Sequence, residues 1–236
     1  SDMAHPDDDL RLRNAVEARA LTVEVVFSYH LQLLDVARAI HELYLNLTVY
    51  NKDGVVEGWL ENVTECSNSL EFWKTTLPPA LRHDGLKDAH MRASKTFPST
   101  LALNAYYCAL KIHLHGLHGC PSSPGYASQR KDHHHQICLD ALKELDAITR
   151  HVNGRAFEQL GWPYAWSLWV ALRYLLATEY YHGQRMQEEW TALSRSLRSM
   201  RRQWQVAGKY WTLLERAFQE LRSESPGMPS DAQRIL

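Results

Sequence analysis

Histidine is the residue type in this chain whose spacing first suggests chemistry. His113, His115 and His118 fall within KIHLHGLHG, and His133, His134 and His135 form an unbroken run shortly afterwards. Imidazole nitrogens are common metal ligands. A His-x-His pair shares one face of a strand, but on a helix residues two apart point about 200° from each other. His115 and His118 fit one helical face, yet Gly116 and Gly119 stop the helix there. No carboxylate stands at the spacing of the His-Glu-x-x-His zinc motif. The expectation is therefore no built metal site and no cofactor. A metal-dependent helical enzyme is the reading that stoichiometric zinc or iron on His113 and His115 would revive.

The other reactive residues are scattered. Cys66, Cys108, Cys120 and Cys138 include no Cys-x-x-Cys pair, which suits buried free thiols better than a disulfide framework or a zinc knuckle. No Gly-x-Ser-x-Gly elbow and no Gly-rich phosphate loop occurs. Asp7, Asp8 and Asp9 resemble the acidic metal motif of helical terpene cyclases. They stand near the chain start without a second acidic motif, and a negatively charged first helical turn accounts for them. Arg195, Arg198, Arg201 and Arg202 make a basic strip that reads as a solvated helix face. Two sequons, Asn46-Leu47-Thr48 and Asn62-Val63-Thr64, stand in a chain whose first residues, SDMAHPDDDLRLR, carry no apolar signal segment. Nothing in this inventory assembles a catalytic centre, so the chain reads as a non-enzyme.

The elements that carry these residues are helices. Leu21, Val25, Tyr29, Leu33, Val36, Ile40, Leu43 and Leu47 step by three and four, predicting a first helix that stops before Asn51-Lys52-Asp53-Gly54. A second stripe, Trp59, Val63, Cys66, Leu70, Trp73 and Leu77, ends at Pro78-Pro79, where two backbone donors are missing. His83 to Lys95 reads as a polar loop with at most a short helix. The third stripe is Leu101, Ala105, Cys108, Ile112 and His115, between Pro98-Ser99 and Gly116. CPSSPGYASQRKD is the clearest connector. A fourth helix carries Cys138, Ala141, Leu145, Ile148 and Val152 and stops at Asn153-Gly154. A fifth runs from about Pro163 to His182, a sixth carries Met186, Trp190, Leu193, Leu197, Met200 and Trp204, and a seventh carries Tyr210, Leu213, Leu214, Ala217 and Leu221. No run alternates apolar and polar residues over strand length, so no sheet is expected.

The predicted fold is all-α: a single compact bundle or layered array of about six to eight helices over residues 10–222. Residues 1–9 read as a disordered N-terminus with a cloning remnant at Ser1-Asp2-Met3, and 223–236 as a flexible tail. Gly161 to Tyr181 is near membrane-span length, but Arg173 and Glu179 interrupt it and mark it as a central buried helix rather than a span.

Composition narrows the function. Of 236 residues, 45% are hydrophobic and 22% charged, enough apolar content for a packed core. The net charge of −1 disfavours nucleic-acid binding by this chain alone, because phosphate neutralisation needs a basic excess. Eight tryptophans and eleven tyrosines point to ring-rich packing or a ring-lined pocket. Trp162, Tyr164, Trp166 and Trp169 read as core first and as one wall of a small-molecule cavity second. The ligand-pocket candidates taken from aromatic density are Tyr106, Tyr107, Trp162, Trp166 and Trp169.

Taken in order, these segments resemble the middle homology region of fungal zinc-cluster transcription factors, the fungal-specific transcription factor domain. LLDVARAIHELYLN is similar to the family's early helix closing on a tyrosine. SLEFWKTTLPPALR carries its Leu, Trp and Leu-Pro signature at Leu70, Trp73, Leu77, Pro78 and Leu81. LALNAYYCALKIHLHG, ICLDALKEL with Cys138 and Ala141, WPYAWSLWVALRYLL, and LRSMRRQWQVAGKYWTLLERAFQEL with Trp204, Ala207 and Tyr210 resemble the segments that follow. The likeness covers residues 20 to 222. It departs after the third helix, where His115-Gly116-Leu117-His118-Gly119 replaces the family's His-Arg-Pro-Phe-like turn, and the six-cysteine cluster is missing. The resemblance implies a nuclear regulatory domain that reaches DNA only through a separate N-terminal module. It implies, as partners, a small-molecule effector, coregulator or activation-domain proteins, and a second copy in a homodimer, with no membrane. A helical scaffold for another protein is the alternative from a different class.

Overall fold

A computed structural model of the chain describes residues 22–50, 57–116, 128–152, 156–182 and 186–224. The Asp7–Asp9 run, the turn at 51–54, His118, the connector up to residue 127, the turn at 153–154 and the tail from 225 lie outside the described residues. Among the described residues there are eight α-helices, two short 3-10 turns and no strand, so the fold is all-α. The helices are α1 (Val23–Tyr50), α2 (Glu57–Thr76), α3 (Ala89–Ala93), α4 (Phe97–Gly116), α5 (Ser128–Thr149), α6 (Phe157–His182), α7 (Gln187–Met200) and α8 (Gln205–Glu224). The chain divides into two compact units, with the boundary between Tyr107 and Cys108, inside α4.

In the first unit α1 packs on α2. The face α1 buries is narrower than the sequence stripe: Val26, Leu33, Ile40 and Leu43 are buried, while Val25, Tyr29 and Val36 are only partly covered. α2 buries Trp59, Val63, Cys66, Leu70 and Trp73, and Leu77 just past its end completes the predicted stripe. Its end is fixed by chemistry as well as by proline. The Arg82 guanidinium donates to the carbonyls of Leu77 and Thr75, both at 2.9 Å, satisfying acceptors that a helix C-terminus leaves open.

The stretch from His83 to Lys95 is more ordered than the predicted loop. A 3-10 turn at His83–Lys87 and α3 bury Leu86 and Met91, and Asp88 caps α3 by accepting from the His90 amide at 2.8 Å. Its polar composition hides two apolar anchors, and periodicity has too few residues there to show them. Gly85 is required by space: a Cβ would stand 2.6 Å from the Ala80 carbonyl oxygen. Buried Asn104 of α4 donates to the Leu81 carbonyl at 2.8 Å, pinning the turn to the core.

In the second unit α6 packs against α7 and α8, and α7 against α5 and α8. α5 begins at Ser128, inside what composition marks as connector, because Ser128 to Asp132 carries no helix breaker. α6 begins earlier than Pro163, at Phe157, and is broken at Gly161, whose φ of 69° is the left-handed conformation glycine favours. Pro163 then sits in the first turn of the continuing helix, where no amide is needed. Tyr164 is fully buried, and its hydroxyl donates to the Thr149 hydroxyl at 3.2 Å.

Two helix assignments from the sequence are corrected. Trp204 lies after α7 rather than in it, and its indole donates to the Phe157 carbonyl at 2.9 Å. The buried face of α8 is Ala207, Trp211, Leu214 and Phe218, whereas Leu213 is 48% exposed. Six leucines and aromatics within one helix fit two phases, and packing chooses the phase that buries Trp211. No helix among the described residues is long and apolar enough to cross a membrane.

Candidate functional site

The five aromatic candidates divide between the units. Tyr106 and Tyr107, in the first, are adjacent on α4 and turn to different neighbours. Tyr106 stacks on His30 of α1 with ring centroids 5.5 Å apart. Burial holds the His30 imidazole below its ordinary pKa and pushes the Tyr106 phenol up. Tyr107 is 1% exposed, stacks on Trp73 at 5.6 Å, and donates from its hydroxyl to the Glu71 carboxylate at 2.9 Å. The Lys74 ammonium lies 4.8 Å from the centre of the Tyr107 ring. Trp73 in turn donates to the Tyr29 carbonyl at 3.1 Å. The Trp73 indole and the Tyr107 hydroxyl are both engaged, and these contacts tie α1, α2 and α4 together.

Trp162, Trp166 and Trp169, in the second unit, are not the core the sequence makes them by default. Just over half of the described α6 residues are buried, and the partly open side carries these three residues together with Arg173. They recur at i, i+4, i+7 and i+11, which is one face of a helix. Trp162 is 48% exposed. Trp166 receives His113 of α4 edge-on, centroids 5.8 Å apart. Trp169 stacks face to face with Tyr210 of α8 at 5.1 Å, and the Arg173 guanidinium covers its ring at 4.7 Å. α6, α8 and the end of α4 thus assemble a strip of partly exposed π-faces edged by one cation. Such a surface suits flat or apolar groups.

Tyr210 and Arg173 were missed as site residues by sequence reasoning, and His113 was weighed only as a metal ligand. Arg173 carried a signal, since a cation four residues after Trp169 lies on the same helical face. Tyr210 and His113 come from other helices, and no local pattern reveals them.

The histidines are brought together in part. His115 of α4, 3% exposed, places its Nδ1 2.8 Å from Nδ1 of His134 of α5, and the rings stack at 5.0 Å. His135 Nδ1 stands 2.7 Å from the Tyr174 hydroxyl. His113 turns instead to Trp166. No group of three or more His, Cys, Asp or Glu among the described residues could jointly hold a metal ion. Cys66, Cys108 and Cys138 are buried free thiols. Burial pushes the Cys138 thiol up to about 12, which keeps it protonated and a poor nucleophile at neutral pH.

The basic strip also divides. Arg195, Arg201 and Arg202 are exposed, whereas Arg198 lies over the Trp211 ring at 4.4 Å. Compared with protein-family models, curated proteins and solved structures, the chain matches none.

Proposed function

We propose that this chain is the regulatory domain of a fungal zinc-cluster transcription factor, acting in the nucleus without its DNA-binding module, and that the aromatic strip of α6 receives its effector. The ordered resemblance of six segments supports the family, and the all-α fold agrees with it. The observation that carries the effector reading is the Trp162, Trp166, Trp169 and Arg173 face, with Tyr210 stacked beside it. A buried helix gains from covering such rings. Leaving four large side chains partly in water forgoes roughly 25 cal/mol for each Å² of apolar surface left uncovered. A ligand with a flat apolar body and one acceptor group for Arg173 fits this surface. Binding to one arrangement of the helices better than another would shift their populations and expose or mask an activating surface.

The test joins the chain between a heterologous DNA-binding domain and a strong activation domain and reads a reporter. The regulatory reading expects the chain to restrain the reporter, with Trp166→Ala or Trp169→Ala changing that restraint while the folded state survives. Equal output with and without the chain, from an intact fusion, overturns it. The upstream residues of the longer protein give an independent check: six cysteines at zinc-cluster spacing are expected, and their absence removes the family.

A second reading, a helical scaffold that docks another protein, is favoured by Phe72, 72% exposed on α2, and by Val23, Phe27 and Leu31, about half exposed on α1. The three α1 residues recur every four positions and form one apolar face. Replacing Phe27 and Phe72 by serine separates the readings. A scaffold loses its partner, whereas an effector-receiving domain keeps its response.

A further inference from the structure

We propose that His115 and His134 form a proton-sharing latch, which fastens the end of α4 to the start of α5 and opens when the pair takes up its second proton. The number of protons on the pair decides whether its bond can form. Two Nδ1 atoms 2.8 Å apart leave room for a single hydrogen between them. At neutral charge one ring must carry Nδ1–H and donate, while the other keeps its Nδ1 lone pair and carries its proton on Nε2. A first added proton goes to Nε2 of the donor ring, which carries no hydrogen in the neutral pair. The shared N–H···N bond then becomes charge-assisted and stronger. A second added proton has only the accepting Nδ1 to occupy. That places two N–H groups head to head and two imidazolium charges on stacked rings 5.0 Å apart, and the rings must separate. The pair therefore titrates in two steps that belong to it jointly.

Position gives this chemistry a mechanical consequence. His115 is in the last turn of α4 and His134 in the second turn of α5, so the bond joins the two helices on either side of the connector at 117–127. Around the pair stand His133, whose ring lies 5.8 Å from that of His134, His135 and Cys138 on α5, Lys111 on α4, and Tyr174 on α6. Lys111 and Tyr174 both act on the Cys138 thiol, which places a cation and a phenol in the same neighbourhood. Asp132 of α5 is exposed, two residues before His134. His135 engages the Tyr174 hydroxyl, and Tyr174 also closes over Gly116, where a Cβ would stand 3.2 Å from its ring. Both contacts hold the first turns of α5, and proton count decides whether the His115–His134 bond can exist.

Imidazole nitrogen resonances of the whole chain, labelled at histidine, are followed from pH 8 to pH 4.5 alongside amide hydrogen exchange of α5. The expected result at pH 8 is one ring with its proton on Nδ1 and the other with its proton on Nε2. The two rings then take up protons in separate steps, and the first turns of α5 open only with the second. Below that step opening should rise about tenfold per pH unit, the signature of one linked proton. His134→Gln should abolish the step in exchange. Two rings that titrate independently at an ordinary imidazole midpoint overturn the proposal, and this reading needs the wild-type chain alone. So does an exchange profile unchanged in His134→Gln. Equimolar zinc that protects α5 in the wild type but not in the variant also overturns it, making the pair metal ligands.

Discussion

The same small assembly occurs twice in this molecule, once in each unit. In the first, Lys74 covers the Tyr107 ring, which stacks on Trp73; in the second, Arg173 covers the Trp169 ring, which stacks on Tyr210. The chemistry is alike and the surroundings differ. Trp73 and Tyr107 are buried, their indole and hydroxyl hydrogens are spent on the Tyr29 carbonyl and the Glu71 carboxylate, and nothing remains for an outside molecule. Trp169 and Tyr210 are partly open, and Arg173 is exposed. Stacked rings with a cation are a brace where they are buried and leave ring surface in contact with water where they are not.

That contrast is broken or sharpened most strongly by deleting a ring from each assembly. Trp73→Ala should lower the unfolding free energy by about 3–5 kcal/mol, as large buried aromatics do, in urea denaturation followed by circular dichroism. Trp169→Ala should cost less than Trp73→Ala, because part of its ring already lies in water. Equal losses would make the α6 face a second brace and remove it as a site.

Tyr107→Phe is the next largest effect. Its ring stays in the stack, but Glu71 loses a donor, and a loss of about 1–2 kcal/mol is expected in the same titration. The corresponding Tyr210→Phe should leave stability unchanged within measurement.

Proton linkage gives two smaller effects. Burial depresses the His30 pKa beside Tyr106, so the neutral ring is the form the fold prefers. The unfolded chain binds that proton near pH 6.5, and the stability this ring contributes is present above that pH and lost as pH falls through the folded value. His30→Leu should flatten that part of the acid limb in pH-dependent denaturation. On the alkaline side the Cys138 thiol is raised from about 9 to about 12, so its contribution is present below pH 9 and lost as pH rises towards 12. Cys138→Ala should remove that slope. Alkylation of the native chain at pH 8, read by peptide mapping, should spare Cys108 and Cys138.

Much of the fold was legible because helices announce themselves locally. The α2 stripe from Trp59 to Leu77, its stop at Pro78-Pro79 and the α4 limits follow from spacing and missing donors. The candidate site was legible only in part. Trp162, Trp166 and Trp169 were visible as rings, but a ring-rich helix reads as core until its neighbours are known. Leu213 and Tyr210 were assigned to a buried face that Trp211 and Phe218 occupy instead, since periodicity leaves the phase of a short amphipathic helix open. Leu86 and Met91 show the opposite failure, two core residues isolated in a polar stretch.

The sequence by itself determined that the chain is helical, where most helices stop, and which residues are large and apolar. Those properties depend on backbone geometry and on neighbours three or four positions away. Tertiary structure decided which phase of α8 is buried and which side of α6 stays partly open. It alone set Tyr210 against Trp169 and His115 against His134, 41 and 19 positions apart. Contacts at that separation are chosen by whole helices packing together, and no local pattern encodes the choice.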